Sequence, residues 1–244
     1  MFALFRKEIA GFFSSLTGYV VVVVFLLLNS LFMWVLPGQF NVAGNGYATL
    51  DALFAIAPWV FLFLVPAITM RTISEEKRTG TLDLLYTRPV SELQIVLAKF
   101  LASWTLVLIS LVPTLIYFWS VYRLGSPQGN LDMGGTWGSY IGLLFLGGIY
   151  AAIGIFASAL TGNQIVAFII AVFASFFMYL GFDFLSGLAG SGQLAYLISR
   201  MGIAYHYNSI SRGVLDSRDM LYFLGVMALF IMGTRTLLQS SKWV

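Results

Sequence analysis

No cysteine occurs in the 244 residues, and histidine occurs once, at His206. The first absence excludes disulfides, thiolate metal sites and a cysteine nucleophile. The second excludes multi-histidine metal and haem sites. Charge is scarce too: Lys, Arg, Asp and Glu make up 9% of the chain, against about 25% in an ordinary soluble domain. Thirteen basic and ten acidic side chains could not cover a water-soluble globule of this size. With 59% apolar residues and a mean hydropathy of +0.90, the chain has lipid as much of its solvent. The small net charge of +3 gives nucleic-acid binding no support. A Gly-x4-Gly-Lys-(Ser/Thr) phosphate loop is missing, so this chain is not the source of P-loop ATPase activity.

What the sequence does contain is six apolar runs long enough to cross a bilayer, which takes about 20 helical residues. They are 18–36, 52–70, 100–119, 140–160, 165–185 and 221–238, and they hold two charges, Asp183 and Arg235, both near span ends. The expected fold is therefore all-α: one polytopic domain of six spans over residues 1–244. Lys and Arg set its orientation. Nine of them (Arg6, Lys7, Arg71, Lys77, Arg78, Arg88, Lys99, Arg235 and Lys242) fall on the side of the termini, and Arg123, Arg200, Arg212 and Arg218 fall on the other. That bias predicts a multi-pass membrane protein with both termini in the cytoplasm.

The first run is too long for a signal-peptide core and lacks a small-x-small cleavage pattern, so it reads as a retained span. Before it, Phe5, Ile9, Phe12, Phe13 and Leu16 recur at helical spacing among Arg6, Lys7 and Glu8, which predicts a helix along the inner membrane surface over 1–17. The link Thr161-Gly162-Asn163-Gln164 is a tight turn. The outer segment 186–220 is too polar for a seventh span, and its stretches 194–203 and 210–215 are candidates for short helices.

Residues 71–94 form the densest charged stretch. They read as a helix end carrying both signs of charge, a break at Gly80, a short amphipathic helix capped by Thr81, a stop at Pro89, and a Ser91/Gln94 capping box for the third span. Leu82, Leu84 and Leu85 cannot all face lipid from such a loop. A short helix presenting leucines amid charge is shaped for a partner's groove. A solvated connection with leucines resting on the bundle is the plainer alternative on the residues alone.

This stretch resembles the inner loop of ABC-2-type ABC transporter permeases, in which a charged cluster is followed by Gly-Thr-Leu-(Glu/Asp)-Leu-Leu and then Pro. The matching positions are Glu75, Glu76, Gly80, Thr81, Leu82, Asp83, Leu84, Leu85 and Pro89. Asp83 stands where Glu is commoner, and the carboxylate is kept. The string Arg212-Gly213-Val214-Leu215-Asp216, followed by Asp219-Met220-Leu221-Tyr222-Phe223, is similar to the pattern before the last span of these permeases. Longer strings (57–71, 139–144 and 161–168) resemble the gliding-motility permease subunit, the Gld F type. The resemblance implies a coupling helix at 80–89, two copies of a separate nucleotide-binding subunit (Gld A type) that use ATP and Mg, and a second permease chain, either of Gld G type or a second copy. It implies no cofactor on this chain itself. The transported substrate does not follow; lipid, polysaccharide and peptide export are all compatible with an apolar lining, as is a membrane scaffold that transports nothing.

Other features carry plainer readings. Gly147, Ala151, Gly154, Ser158 and Gly162 share one face of the fourth span, with Gly138 and Gly142 at its start. Small residues let helices approach closely, so this face predicts packing within the chain, or else a surface for the second permease. Asn29, Ser103, Ser110, Thr114, Ser158 and Ser175 are expected to be satisfied by backbone or interhelical hydrogen bonds. No buried ionisable pair is expected, and His206 reads as an interfacial polar group. Absent intramembrane charge and internal repeats disfavour a secondary transporter. The nearest string to a serine-protease nucleophile, Ala189-Gly190-Ser191-Gly192, fails at its first position, which disfavours an enzyme.

Overall fold

The computed structural model describes residues 1–82, 90–190, 192–213 and 216–240. Among them six helices are long and apolar enough to cross a membrane: Leu16–Val35, Asp51–Thr79, Glu92–Leu124, Met133–Leu160, Gln164–Leu188 and Ser217–Ser240. These are spans one to six. All-helical architecture follows from composition, since a backbone in lipid must satisfy its own hydrogen bonds.

Several spans outrun the bilayer. Span four has 28 residues, about 42 Å at the helical rise, against a hydrocarbon layer of about 30 Å. Span three begins at Glu92, two turns before its apolar run, because the Ser91/Gln94 capping box forms: the Gln94 amide donates to Ser91 Oγ, and the Ser91 amide to Gln94 Oε1. Polar turns of these helices thus project beyond the lipid, where they can carry charge.

Breaks in the spans have local causes. Ser15 is extended and separates the amphipathic helix Phe2–Ser14 from span one. Gly18 permits the sharp exit, since a Cβ there would lie 2.8 Å from the Phe12 carbonyl oxygen. Pro113 falls in a 3-10 turn, Val112–Thr114, that divides span three. Span one ends in a π-turn, Leu31–Val35, and span five contains another, Phe177–Gly181.

Span four is the hub. It packs against spans two, three, five and six, and 78% of its most apolar stretch is buried. Spans two and three are also largely interior, at 67% and 61%. Spans one, five and six are 28%, 28% and 22% buried, so they form the rim that meets lipid or another chain. The small-residue face of span four explains the close packing. A Cβ on Gly147 would lie 2.5 Å from Val107 of span three, and one on Gly154 would lie 1.9 Å from Thr69 Oγ1 of span two. Ala151 and Ser158 are fully buried along the same face. Gly162, in the turn to span five, lies beside the backbone of Arg78.

Between spans five and six, short helices form at Gln193–Ser199 and Ile203–Ile210. The second falls earlier than the 210–215 stretch suggested by the sequence. Its buried face is Ile203, Ala204, Tyr207 and Ile210, a helical spacing that places His206 inside the element rather than in a loop.

Candidate site where the charged connection meets the bundle

The two ends of the bundle differ in charge. The end holding the N-terminal helix and the 70–91 connection is here the basic end; the opposite one is the far end. At the basic end, span two runs out at Thr69, turns, and resumes as the helix Ser74–Thr79. The amides of Ile73 and Ser74 both donate to Ser158 Oγ, at 3.0 and 2.9 Å, and that hydroxyl donates to the Met70 carbonyl at 3.0 Å. One serine therefore satisfies two amides and a carbonyl of the turn, and Ser158 is a capping residue as well as a small one. Lys77 Nζ donates to the Ala159 carbonyl at 2.5 Å, a second pin onto the end of span four. Gly80, at φ +70, ends the helix in the left-handed region that favours glycine.

A buried ion cluster ties this turn to two further elements. Lys99 of span three is 1% exposed. Its Nζ lies 2.8 Å from Glu76 Oε1 and 3.1 Å from Glu8 Oε1, and donates to the Thr72 carbonyl at 2.6 Å. The ammonium thus has three acceptors, one on the N-terminal helix and two on the 72–76 turn. Lys7, largely exposed, approaches Glu76 Oε1 from the surface at 3.9 Å. The buried ammonium is tolerated because two partly buried carboxylates and a carbonyl surround it. A cleft of about 350 Å³ opens beside the cluster, lined in part by Lys7, Phe12, Ser15, Arg71 and Glu75.

Of the residues singled out in the sequence, Glu76 enters this cluster. Glu75 is surface-facing and sits 4.0 Å from Arg78. Leu82 is buried in the main core, and Thr81 Oγ1 lies 2.9 Å from Thr79 Oγ1. Asp83, Leu84, Leu85 and Pro89 lie outside the described residues. Glu8 and Lys99 were not legible in the sequence as site residues, because their partners are 91 and 27 positions away. A lone lysine two turns into a capped helix that goes on to be apolar was the one available signal.

The far end holds a second buried pair, which corrects the expectation that none exists. His206 Nδ1 lies 2.6 Å from Asp219 Oδ1, and His206 Nε2 lies 2.8 Å from the Arg200 carbonyl oxygen. Histidine and aspartate are both buried, so His206 is not an interfacial group. Among the intraspan polar groups, Ser110 and Thr114 bond to backbone carbonyls as expected. Ser103 Oγ, Ser175 Oγ and Asn29 Oδ1 have no partner among the described residues.

The family described as ABC-2 family transporter protein matches residues 28–234. The chain belongs to that family. It is a multi-pass membrane component of an ABC-2 transporter, and the matched region runs from span one through most of span six. Among curated proteins none matches the sequence. In an ABC-2 membrane component the basic-end turn lies where the bundle's polar helix ends leave the lipid, and its attachments run to spans three and four and the N-terminal helix.

Proposed function

We propose that this chain is the permease subunit that receives ATP-driven motion from a separate ABC ATPase through residues 71–91, with ATP and Mg held by that partner. The observation that carries the reading is the basic-end turn. A segment that must transmit displacement has to be fixed to the elements it moves, and here Ser158, Lys77 and Lys99 fix it to spans three and four and to the N-terminal helix. In this reading Glu75 and Thr81 meet the ATPase together with Asp83, Leu84 and Leu85, Glu76 and Leu82 tie that segment to the bundle, and Pro89 removes slack before span three. In this reading Pro58 and Pro66, both inside span two, are the points at which the helix leading into the turn can bend.

The finer reading is a gliding-motility assembly in a bacterial inner membrane, with both termini cytoplasmic, two Gld A type ATPase copies and a Gld G type second permease. It rests on the longer sequence strings and on the charge bias. The poorly buried rim of spans one, five and six supports a second permease chain, since six spans supply only part of a pathway. Purification by a tag on this chain tests both levels. An ATPase and a second six-span chain of different sequence in the eluate support the gliding type. A homodimer with an ATPase leaves the permease reading and removes that subtype, and absence of any ATPase from a detergent-stable sample overturns the coupling role in favour of a membrane scaffold. Leu84→Pro or Asp83→Lys should abolish ATPase co-purification while membrane insertion persists.

A further inference from the structure

The cleft beside the Lys99 cluster carries more positive charge than its own carboxylates answer. Lys99 lies against Glu8 and Glu76, Lys7 approaches Glu76, and Arg78 faces Glu75. Each carboxylate thus has a cation, and Arg71, which also lines the cleft, is left over. Its exposed side chain has no ion pair and no hydrogen bond among the described residues. Arg71 directly follows the apolar run of span two, 52–70, so its charge stands where the hydrocarbon layer gives way to headgroups. A guanidinium there is a fork suited to a phosphate, which it can bind through two parallel hydrogen bonds.

The rest of the cleft is amphiphilic. Lys7 comes from the N-terminal helix, Ser15 and Thr17 from the start of span one, and Ile68 and Arg71 from the end of span two. Its apolar lining residues, Phe12 and Ile68, belong to a small cluster with Phe13, Val21, Leu64 and Leu106. Span one also presents an exposed stripe at helical spacing, Leu16, Val20, Val23 and Leu27, which begins next to Ser15 of the cleft. Cations, an apolar wall and an exposed apolar stripe alongside match a molecule with a charged head and acyl tails. At about 350 Å³, the cleft is at the low end of ligand pockets, so it takes a headgroup while the tails stay on span one.

We propose that this cleft binds the phosphodiester of an anionic glycerophospholipid, with Arg71 as its main ligand and Lys7 as the second cation. The lining carboxylates do not oppose the anion, because Glu8 and Glu76 have Lys99 and Glu75 has Arg78. One unanswered positive charge calls for one phosphodiester without a headgroup cation. Phosphatidylglycerol meets that condition, whereas a choline headgroup brings its own positive charge against Lys7. Basic pockets between spans at the cytoplasmic side are a recognised form of anionic-lipid site. The bound headgroup joins Lys7 of the N-terminal helix to the turn after span two, a lipid-dependent tie between segments that Lys99 also joins. The site does not rest on the ATPase reading, since it needs no bound subunit.

The test uses the full-length chain, delipidated in detergent and titrated with dioctanoyl phosphatidylglycerol under native mass spectrometry. Arg71→Gln should weaken the first binding step by at least about tenfold. Arg6→Gln, on the N-terminal helix but outside the cleft, should change it by less than about twofold. Gly11→Leu keeps the charge and fills the cleft, since a Cβ on Gly11 meets nothing within 4 Å; it should also weaken binding. Arg71 and Gly11 are both exposed, so melting temperatures without lipid should match the unaltered chain. Dioctanoyl phosphatidylcholine and inorganic phosphate should each bind at least about tenfold more weakly than phosphatidylglycerol. Undiminished binding in Arg71→Gln or Gly11→Leu, or phosphatidylcholine held as tightly, would overturn the proposal. Displacement of the lipid by an equal concentration of inorganic phosphate would also overturn it, by showing a site for free anions.

Discussion

The two ends of the bundle each hold segments together through titratable side chains, and the two are built differently. At the basic end one ammonium of span three serves three acceptors, Glu8 on the N-terminal helix and Thr72 and Glu76 on the 72–76 turn. At the far end two side chains meet through one short contact, backed by an aromatic stack. A hub with three spokes resists displacement in every direction, because moving any one segment strands a charge or a carbonyl. A single contact can open by separating along one line. The difference assigns rigidity to the end proposed to receive force and releasability to the opposite end.

The largest expected effect tests the hub. Lys99→Met leaves the partly buried Glu8 and Glu76 without the ammonium between them and the Thr72 carbonyl without its donor. Breaking a buried pair in this way costs about 3–5 kcal/mol, measured as a loss of unfolding stability in detergent. Adding Glu8→Gln and Glu76→Gln should restore part of it, since the stranded charges are then gone. A single variant as stable as the original chain would show that the hub contributes little.

Next in size is Ser158→Ala. It removes the shared acceptor of the Ile73 and Ser74 amides while leaving the shape of span four almost unchanged. Buried N–H groups left unpaired cost about 1–3 kcal/mol each, and faster amide exchange should be confined to 70–79. If exchange in that turn is unaltered, the turn is held by packing instead of by the serine.

Gly154→Ala tests the close approach beneath the turn. The new Cβ would fall 1.9 Å from Thr69 Oγ1, so span two or span four must shift, at about 1–3 kcal/mol by thermal unfolding. Thr69→Ala removes the nearest of the clashing atoms and should recover part of the loss. No recovery would place the strain elsewhere on span four.

These sites differ in how far the sequence exposed them. The six spans, the Ser91/Gln94 box, the Gly80 break and the small-residue face were legible because each depends on residues within a turn or two of one another. Gly154 and Ser158 were legible as small residues, but not as the seat of Thr69 and the cap of the 73–74 amides, which depend on how spans two and four cross. Lys99 was counted only as a charge on the side of the termini, and His206 was read as interfacial, because neither residue's partner is near it in sequence. Glu8 and Asp219 come from elements whose docking is a tertiary event. Helix boundaries in the far-end segment slipped because the buried face of Ile203–Ile210 is decided by span four and span six, not by its own polar composition.

The smallest effect contrasts two lysines that share one carboxylate oxygen. Lys99 Nζ is 2.8 Å from Glu76 Oε1 and 1% exposed, whereas Lys7 Nζ is 3.9 Å from the same atom with its side chain 65% exposed. Water and salt screen the second pair and leave the first almost untouched. Lys7→Ala should therefore cost about 0–1 kcal/mol at low ionic strength, and nothing measurable near 1 M salt, where the Debye length falls to about 3 Å. The Lys99→Met loss should persist at both. Unfolding midpoints for the two variants at low and high salt decide the point: if the Lys99 effect also vanishes in salt, water reaches the cluster, and the hub is a surface network too soft to transmit displacement.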